Sequence, residues 1–168
     1  MGYEVLYDFA NEALPIKPMI FMPLLFVFIG VGIIMYHIKQ KDMNKMKRTY
    51  GIIFGSIAGS FALVVSILVI PSHFIDYYKT KDIYYNKEYK VIEGTLNNFD
   101  PMPYTGHKTE SFSINQVCFE YSDYDLSYYG FRNTKSHGGP VDEGKRFRIS
   151  YFNNGKRNII LKIEAPIN

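Results

Sequence analysis

No Asp, Glu, Lys or Arg occurs between Met19 and Ile38, and none occurs between Gly51 and Ile70. Each run holds 20 residues. As α-helix, at about 1.5 Å per residue, each would span roughly 30 Å, the thickness of a bilayer's hydrocarbon core. The runs therefore predict an integral membrane protein with a two-helix hairpin. The averages over all 168 residues, 47% apolar and 21% charged with mean hydropathy −0.11, conceal this and would fit an ordinary soluble domain.

The first run is too long for the apolar part of a cleaved leader, and the acids Glu4, Asp8 and Glu12 precede it where a leader needs basic residues. It is expected to be retained. Residues 1–18 then form an N-terminal tail, 19–38 the first span, 39–50 a connecting loop and 51–70 the second span. Five basic residues, Lys39, Lys41, Lys45, Lys47 and Arg48, face one acid in the loop, whereas the tail has one basic residue against three acids. Short basic loops stay in the cytoplasm, so both termini are expected outside, in a bacterial cytoplasmic (inner) membrane. Lys79 and Lys81, just after the second run, pull the other way. The net charge of +3 is thus local, because the loop alone supplies +4 (five basic residues less one acid).

Gly51, Gly55 and Gly59 recur every fourth residue, which places them on one face of the second helix, where another backbone can approach closely. The first helix of the same hairpin is the expected occupant of that seam; a membrane-protein partner or a second copy of the chain is the alternative. Pro71 is expected to stop the helix. Residues 71–88, rich in Tyr, read either as a juxtamembrane helix or stalk at headgroup level or as a face packed on the chain's own β-domain.

From residue 89 the apolar period changes to two. Strands are predicted over 89–96 and 111–114, and at 117–121 after an Asn115-Gln116 turn. Two more are predicted around Phe147, Ile149 and Tyr151 and around Ile159, Leu161 and Ile163, joined by a turn at Asn153-Asn154-Gly155-Lys156. Five strands over 89–168 without a helical pattern predict an α+β membrane protein whose polar part is a small antiparallel β-barrel of OB or SH3-like type, closed or half-open, with a small sandwich as the alternative. The order Val-Ile-Glu-Gly-Thr-Leu, Phe-Ser-Ile-Asn-Gln-Val-Cys-Phe-Glu-Tyr and Glu-Gly-Lys-Arg-Phe-Arg-Ile-Ser-Tyr resembles bacterial membrane-anchored small β-domain families of unknown function over about residues 89–163. That resemblance implies a β-domain on a membrane anchor and brings no catalytic residues with it.

Two loops, 98–110 and 130–143, mix Gly, Pro, aromatics and one His each. If they converge, Tyr104, His107, Glu110, Arg132, Ser136 and His137 would line one polar cleft for a ligand or partner. The bland reading is that Pro and Gly merely shape turns and the histidines are solvated. A metal would need Glu110 or Asp142 beside His107 and His137, and no spacing constrains these, so neither metal nor cofactor is expected. Gly139–Arg146 follows Walker A spacing until Arg146 stands where Ser or Thr must bind Mg²⁺. His137-Gly138-Gly139 has no accompanying G-x-S-x-G elbow, which removes the hydrolase reading. The sole Cys118 excludes an intramolecular disulfide. After Pro71, 13 Lys and Arg stand against 12 Asp and Glu, too even a balance for nucleic acid. The expected role is non-catalytic: a β-domain displayed on the outer membrane face to bind a protein or envelope component. The alternatives are a signal-gated membrane effector with a cytoplasmic ligand-binding barrel and a small envelope enzyme using the loop histidines.

Overall fold

A computed structural model describes residues 2–14, 16, 18–125 and 129–167. The chain divides into two compact units: Met1–Leu14 with Asp76–Asn168, and Pro15–Ile75. The second unit is thus an insertion within the first.

The inserted unit is built on two helices, α1 (Met22–Lys39) and α2 (Lys45–Tyr85), and the last ten residues of α2 belong to the other unit. Both are long and apolar enough to cross a membrane. Lys39 ends α1, Lys45 opens α2, and Lys41 lies in the turn between them, so the basic residues bracket a connection shorter than the predicted 39–50 loop. The glycine face of α2 is occupied by α1. A Cβ at Gly30 would lie 2.7 Å from the Gly59 Cα, and one at Gly55 would lie 2.9 Å from the Gly30 carbonyl oxygen. Gly51 receives the His37 imidazole, whose Nδ1 lies 2.8 Å from the Ile33 carbonyl.

Pro71 does not stop α2, contrary to the sequence reading. Proline removes one amide donor and frees a carbonyl in the preceding turn. In apolar helices neighbouring hydroxyls can take up such carbonyls. The carbonyl that Pro71 leaves without its amide donor is that of Ile67, four residues back; the Ser72 hydroxyl, in the same turn, donates to the Val69 carbonyl at 3.0 Å.

The other unit is a six-stranded antiparallel sheet, not a five-stranded barrel. Its strands are β1 (Tyr3–Asp8), β2 (Lys90–Asp100), β3 (Glu110–Ile114), β4 (Val117–Tyr121), β5 (Arg146–Asn153) and β6 (Asn158–Pro166). Their order is β1-β6-β5-β2-β3-β4, an open sheet with β1 and β4 at its edges. The sixth strand comes from residues 1–18, read from sequence as a tail. Tyr3 pairs with Pro166 and Asp8 with Lys162, so the two ends of the chain share one ladder.

Local chemistry explains the hairpins. Asn115 and Gln116 both take positive φ, 45° and 70°, as the tight β3–β4 turn demands. In the β5–β6 turn, Asn153 Oδ1 accepts the Gly155 amide at 2.8 Å and Asn154 Oδ1 accepts the Arg157 amide at 2.9 Å. The β5–β6 register slips between Ser150 and Tyr151, leaving Leu161 without a ladder partner. Ile163 is thereby turned away from Ile159 and Leu161, which simple alternation would have kept on one face with it.

Two clusters result. Phe112, Phe119, Phe147, Ile149 and Ile163 centre the larger one, on one side of the curled sheet. Phe9, Tyr77, Ile159 and Leu161 form the smaller, with Tyr84 and Tyr89 packed against it. The Tyr-rich end of α2 therefore packs on its own β-unit, the second of the two readings of 71–88. The Tyr77 hydroxyl donates to the Glu12 carbonyl at 3.2 Å and the Tyr84 hydroxyl to Asp8 at 2.6 Å. At the open side of the sheet, Phe131 stacks edge-on against Tyr121 of β4 (5.0 Å) and Tyr7 of β1 (5.1 Å). A loop aromatic bridges the two edges that no strand pairing joins.

Candidate functional site

Glu110 draws the two candidate loops together. Its side chain is fully buried, and Oε1 accepts the Tyr121 hydroxyl at 2.5 Å. The Met102 amide, from the first loop, and the Lys135 amide, from the second, donate to Oε2 at 3.3 and 2.9 Å. Burial, with the carboxylate beside it, raises the Tyr121 hydroxyl well above the tyrosine range and keeps it a donor. Glu110 acts as a clasp between loops rather than as a group open to ligand.

Beyond Glu110 the loop forms a 3-10 turn, Lys135–His137, closed by Gly138 at φ 88°. A Cβ on Gly139 would lie 2.2 Å from the Asn133 carbonyl oxygen, so only glycine lets the loop double back here. The turn delivers Thr134, Ser136 and His137 to Asp123, which follows β4. Asp123 accepts the Thr134 amide at 2.9 Å and the Thr134 hydroxyl at 2.5 Å, and His137 Nδ1 meets its Oδ2. Burial pushes the Asp123 carboxyl up, but the Thr134 and His137 contacts together hold it below the usual range. The Ser136 hydroxyl lies 3.0 Å from that of Thr134.

Beside this cluster, at the seam between β1 and the second loop, lies a cleft of about 370 Å³. Leu6, Phe131 and Pro140 give it apolar walls, and Tyr7, Glu12, Asp123, Arg132 and Asn133 give it polar groups. The Tyr7 hydroxyl is shut from solvent beside the Glu12 carboxylate. Burial, and then the nearby Glu12 carboxylate, push its ionisation far above the ordinary value. Burial also raises the Glu12 carboxyl, against the lowering influence of Tyr7 and Arg132. The seam offers donors and acceptors to an incoming group.

Of the six candidate residues, Arg132 lines the cleft, and Ser136 and His137 belong to the cluster adjoining it through Asp123. Glu110 is the buried clasp. Tyr104 is 81% exposed, and His107 stacks edge-on on Tyr124 at 4.1 Å. Neither lines the cleft. Asp142 is held by Lys135 and Lys145, which lower its carboxyl below the usual range. Among the described residues no group of three or more His, Cys, Asp or Glu side chains could hold a metal ion. Sequence reasoning missed Tyr7, Glu12 and Asp123. The first two lie in the supposed tail, and the third sits 14 residues from the histidine that it meets.

No protein family, curated protein or solved structure matches this chain. Fold and geometry therefore define it directly: an α+β protein with an open six-stranded antiparallel sheet into which a pair of long apolar helices is inserted.

Proposed function

We propose that this protein is a non-catalytic binding module anchored in a bacterial cytoplasmic membrane by α1 and α2, with its β-unit and both termini on the extracytoplasmic side. The observation that carries the reading is the β1–β6 ladder. Strands on either side of the inserted helices pair with each other, so any bilayer between Asp8 and Lys90 must be crossed an even number of times. Two apolar helices supply that number. The side follows from the basic residues Lys39, Lys41, Lys45, Lys47 and Arg48 around the hairpin tip, which favour the cytoplasm. Anchoring confines the β-unit to the membrane surface and raises its effective concentration toward a protein or envelope component there.

The seam cleft is the proposed contact, with Arg132, Tyr7 and Glu12 as its recognition groups. A photo-crosslinking residue at exposed Asn133, activated in living cells, should give a discrete adduct that Arg132→Ala removes without changing the amount of protein. An adduct undiminished in that variant contradicts the assignment. A reporter active only outside the cytoplasm, fused after Asn168, should be active; silence with full expression would favour the effector with a cytoplasmic β-unit.

A further inference from the structure

Lys79 and Lys81 stand just past the second apolar run, against the charge asymmetry that orients the hairpin. The structure gives each a different environment. The Lys81 ammonium lies 5.9 Å from the centroid of the Tyr85 ring. Lys79 lines a cleft of about 360 Å³ within the β-unit, where the end of α2 faces the β5–β6 turn. Asp76, Lys79 and Thr80 come from the helix, Asn154 and Lys156 from the turn, and Tyr129 forms one wall.

Most of the polar groups in this cleft are already committed. The Thr80 hydroxyl donates to the Asp76 carbonyl at 2.9 Å, and Asn154 Oδ1 accepts the Lys156 amide at 3.0 Å. The Lys79 and Lys156 ammoniums have no partner among the described residues, whereas Lys108, Lys135 and Arg157 are matched to Asp100, Asp142 and Asp125. Two unmatched cations against the single Asp76 carboxylate leave the cleft one positive charge in excess.

Its place along α2 indicates the source of a complementary anion. Thr49 to Ile75 holds no Asp, Glu, Lys or Arg, and Asp76 begins the charged part of the helix. The apolar run ends at Ile70, nine residues and about 14 Å of helix rise before Lys79, and side chains on a helix lean toward its N-terminus, here back toward the run. With the apolar run in a bilayer, a reading on which this inference rests, the long Lys79 side chain reaches back to headgroup depth.

We propose that the cleft binds the phosphate of an anionic phospholipid headgroup between the Lys79 and Lys156 ammoniums. A bilayer presents such phosphates at that depth in high local concentration, which two exposed lysines could not draw from solution.

The test uses the full chain in neutral detergent, titrated with short-chain phosphatidylglycerol, short-chain phosphatidylcholine or inorganic phosphate, and reads the amide chemical shifts of Asn154, Gly155 and Lys156. Phosphatidylglycerol alone should saturate these shifts. The Lys79→Gln/Lys156→Gln variant should bind it about 30-fold more weakly, from roughly one factor of five per lysine, while Lys81→Gln leaves binding unchanged. Equal saturation by phosphatidylcholine, equal saturation by inorganic phosphate, or undiminished binding by the double variant would overturn the proposal. Alkaline carbonate extraction of membranes separates the two readings. A chain that stays in the membrane pellet but lacks lipid selectivity rejects the headgroup site alone, whereas a chain released to the supernatant rejects the bilayer reading and this site with it.

Discussion

Phe61 and Phe112 are the same side chain under opposite conditions. Phe61, on α2, is 71% exposed, and Phe112, on β3, is 2% exposed. The contrast extends to their neighbours: Phe28, Phe54 and Leu68 of the helices are open, while Phe119, Phe147 and Ile149 of the sheet are closed off. The sheet hides its apolar groups behind polypeptide. The helices leave most of theirs for another medium to cover, and what they cover from within is mainly small side chains, at Gly30, Gly55, Ala62 and Ser66. Exposed apolar surface of this extent is rarely left to water.

The largest expected effect sharpens that contrast directly. Phe112→Ala should destabilise the β-unit by about 3–5 kcal/mol, because it empties a packed core. Phe61→Ala should change stability in detergent by no more than about 0.5 kcal/mol. Denaturant unfolding followed by near-ultraviolet circular dichroism measures both; equal losses would mean that the two aromatics occupy the same kind of environment.

The helical pair can be broken at one point. A Cβ on Gly30 meets backbone of α2, whereas one on Gly32 meets nothing within 4 Å. Gly30→Ala should cost about 1–3 kcal/mol through overpacking, and Gly32→Ala should gain up to about 1 kcal/mol of helix propensity. Thermal denaturation in detergent ranks the pair, and a reversed order would show that α1 and α2 do not meet there.

Smaller effects come from two carboxylates at the seam. Asp123 ionises below its ordinary value of 3.8, so its contribution to stability is present above that pH and is lost as pH falls through the folded-state value. Glu12 ionises above its ordinary 4.5, so its contribution is present below that pH and is lost as pH rises through the folded-state value. At pH 7, Asp123→Asn should lower the melting temperature and Glu12→Gln should raise it. The Glu12→Gln gain should shrink as pH is lowered toward 4.5, and the Asp123→Asn loss should shrink on acidification below 3.8. Shifts of the same sign for both variants would show that the seam does not treat these carboxylates differently.

The two regions also differ in how far the sequence disclosed them. The hairpin was legible because charge-free runs act locally, residue by residue, and spacing four put the glycines on one face. Strands β2 to β6 were legible from alternation and from Asn-rich turns. β1 was not. Its Glu4 and Asp8 read as a polar tail, and its partner β6 lies at the other end of the chain. Pro71 misled because its local effect is absorbed within an apolar helix. The site was legible only in part: loop composition pointed to Arg132, Ser136 and His137. It could not show that Glu110 is spent on clasping both loops, or that the seam takes Tyr7 and Glu12 from the missed N-terminal segment. Nor does composition reveal that Phe131 bridges the open edges of the sheet.

The central claim is that the β-unit lies outside the cytoplasmic membrane, and the chain carries its own probe for it. Cys118 is the only cysteine and is exposed on the edge strand β4. A membrane-impermeant thiol reagent added to intact spheroplasts should label Cys118 as fully as it does after lysis, and Cys118→Ser should abolish the signal. Labelling that appears only after lysis would place the β-unit in the cytoplasm and contradict the account.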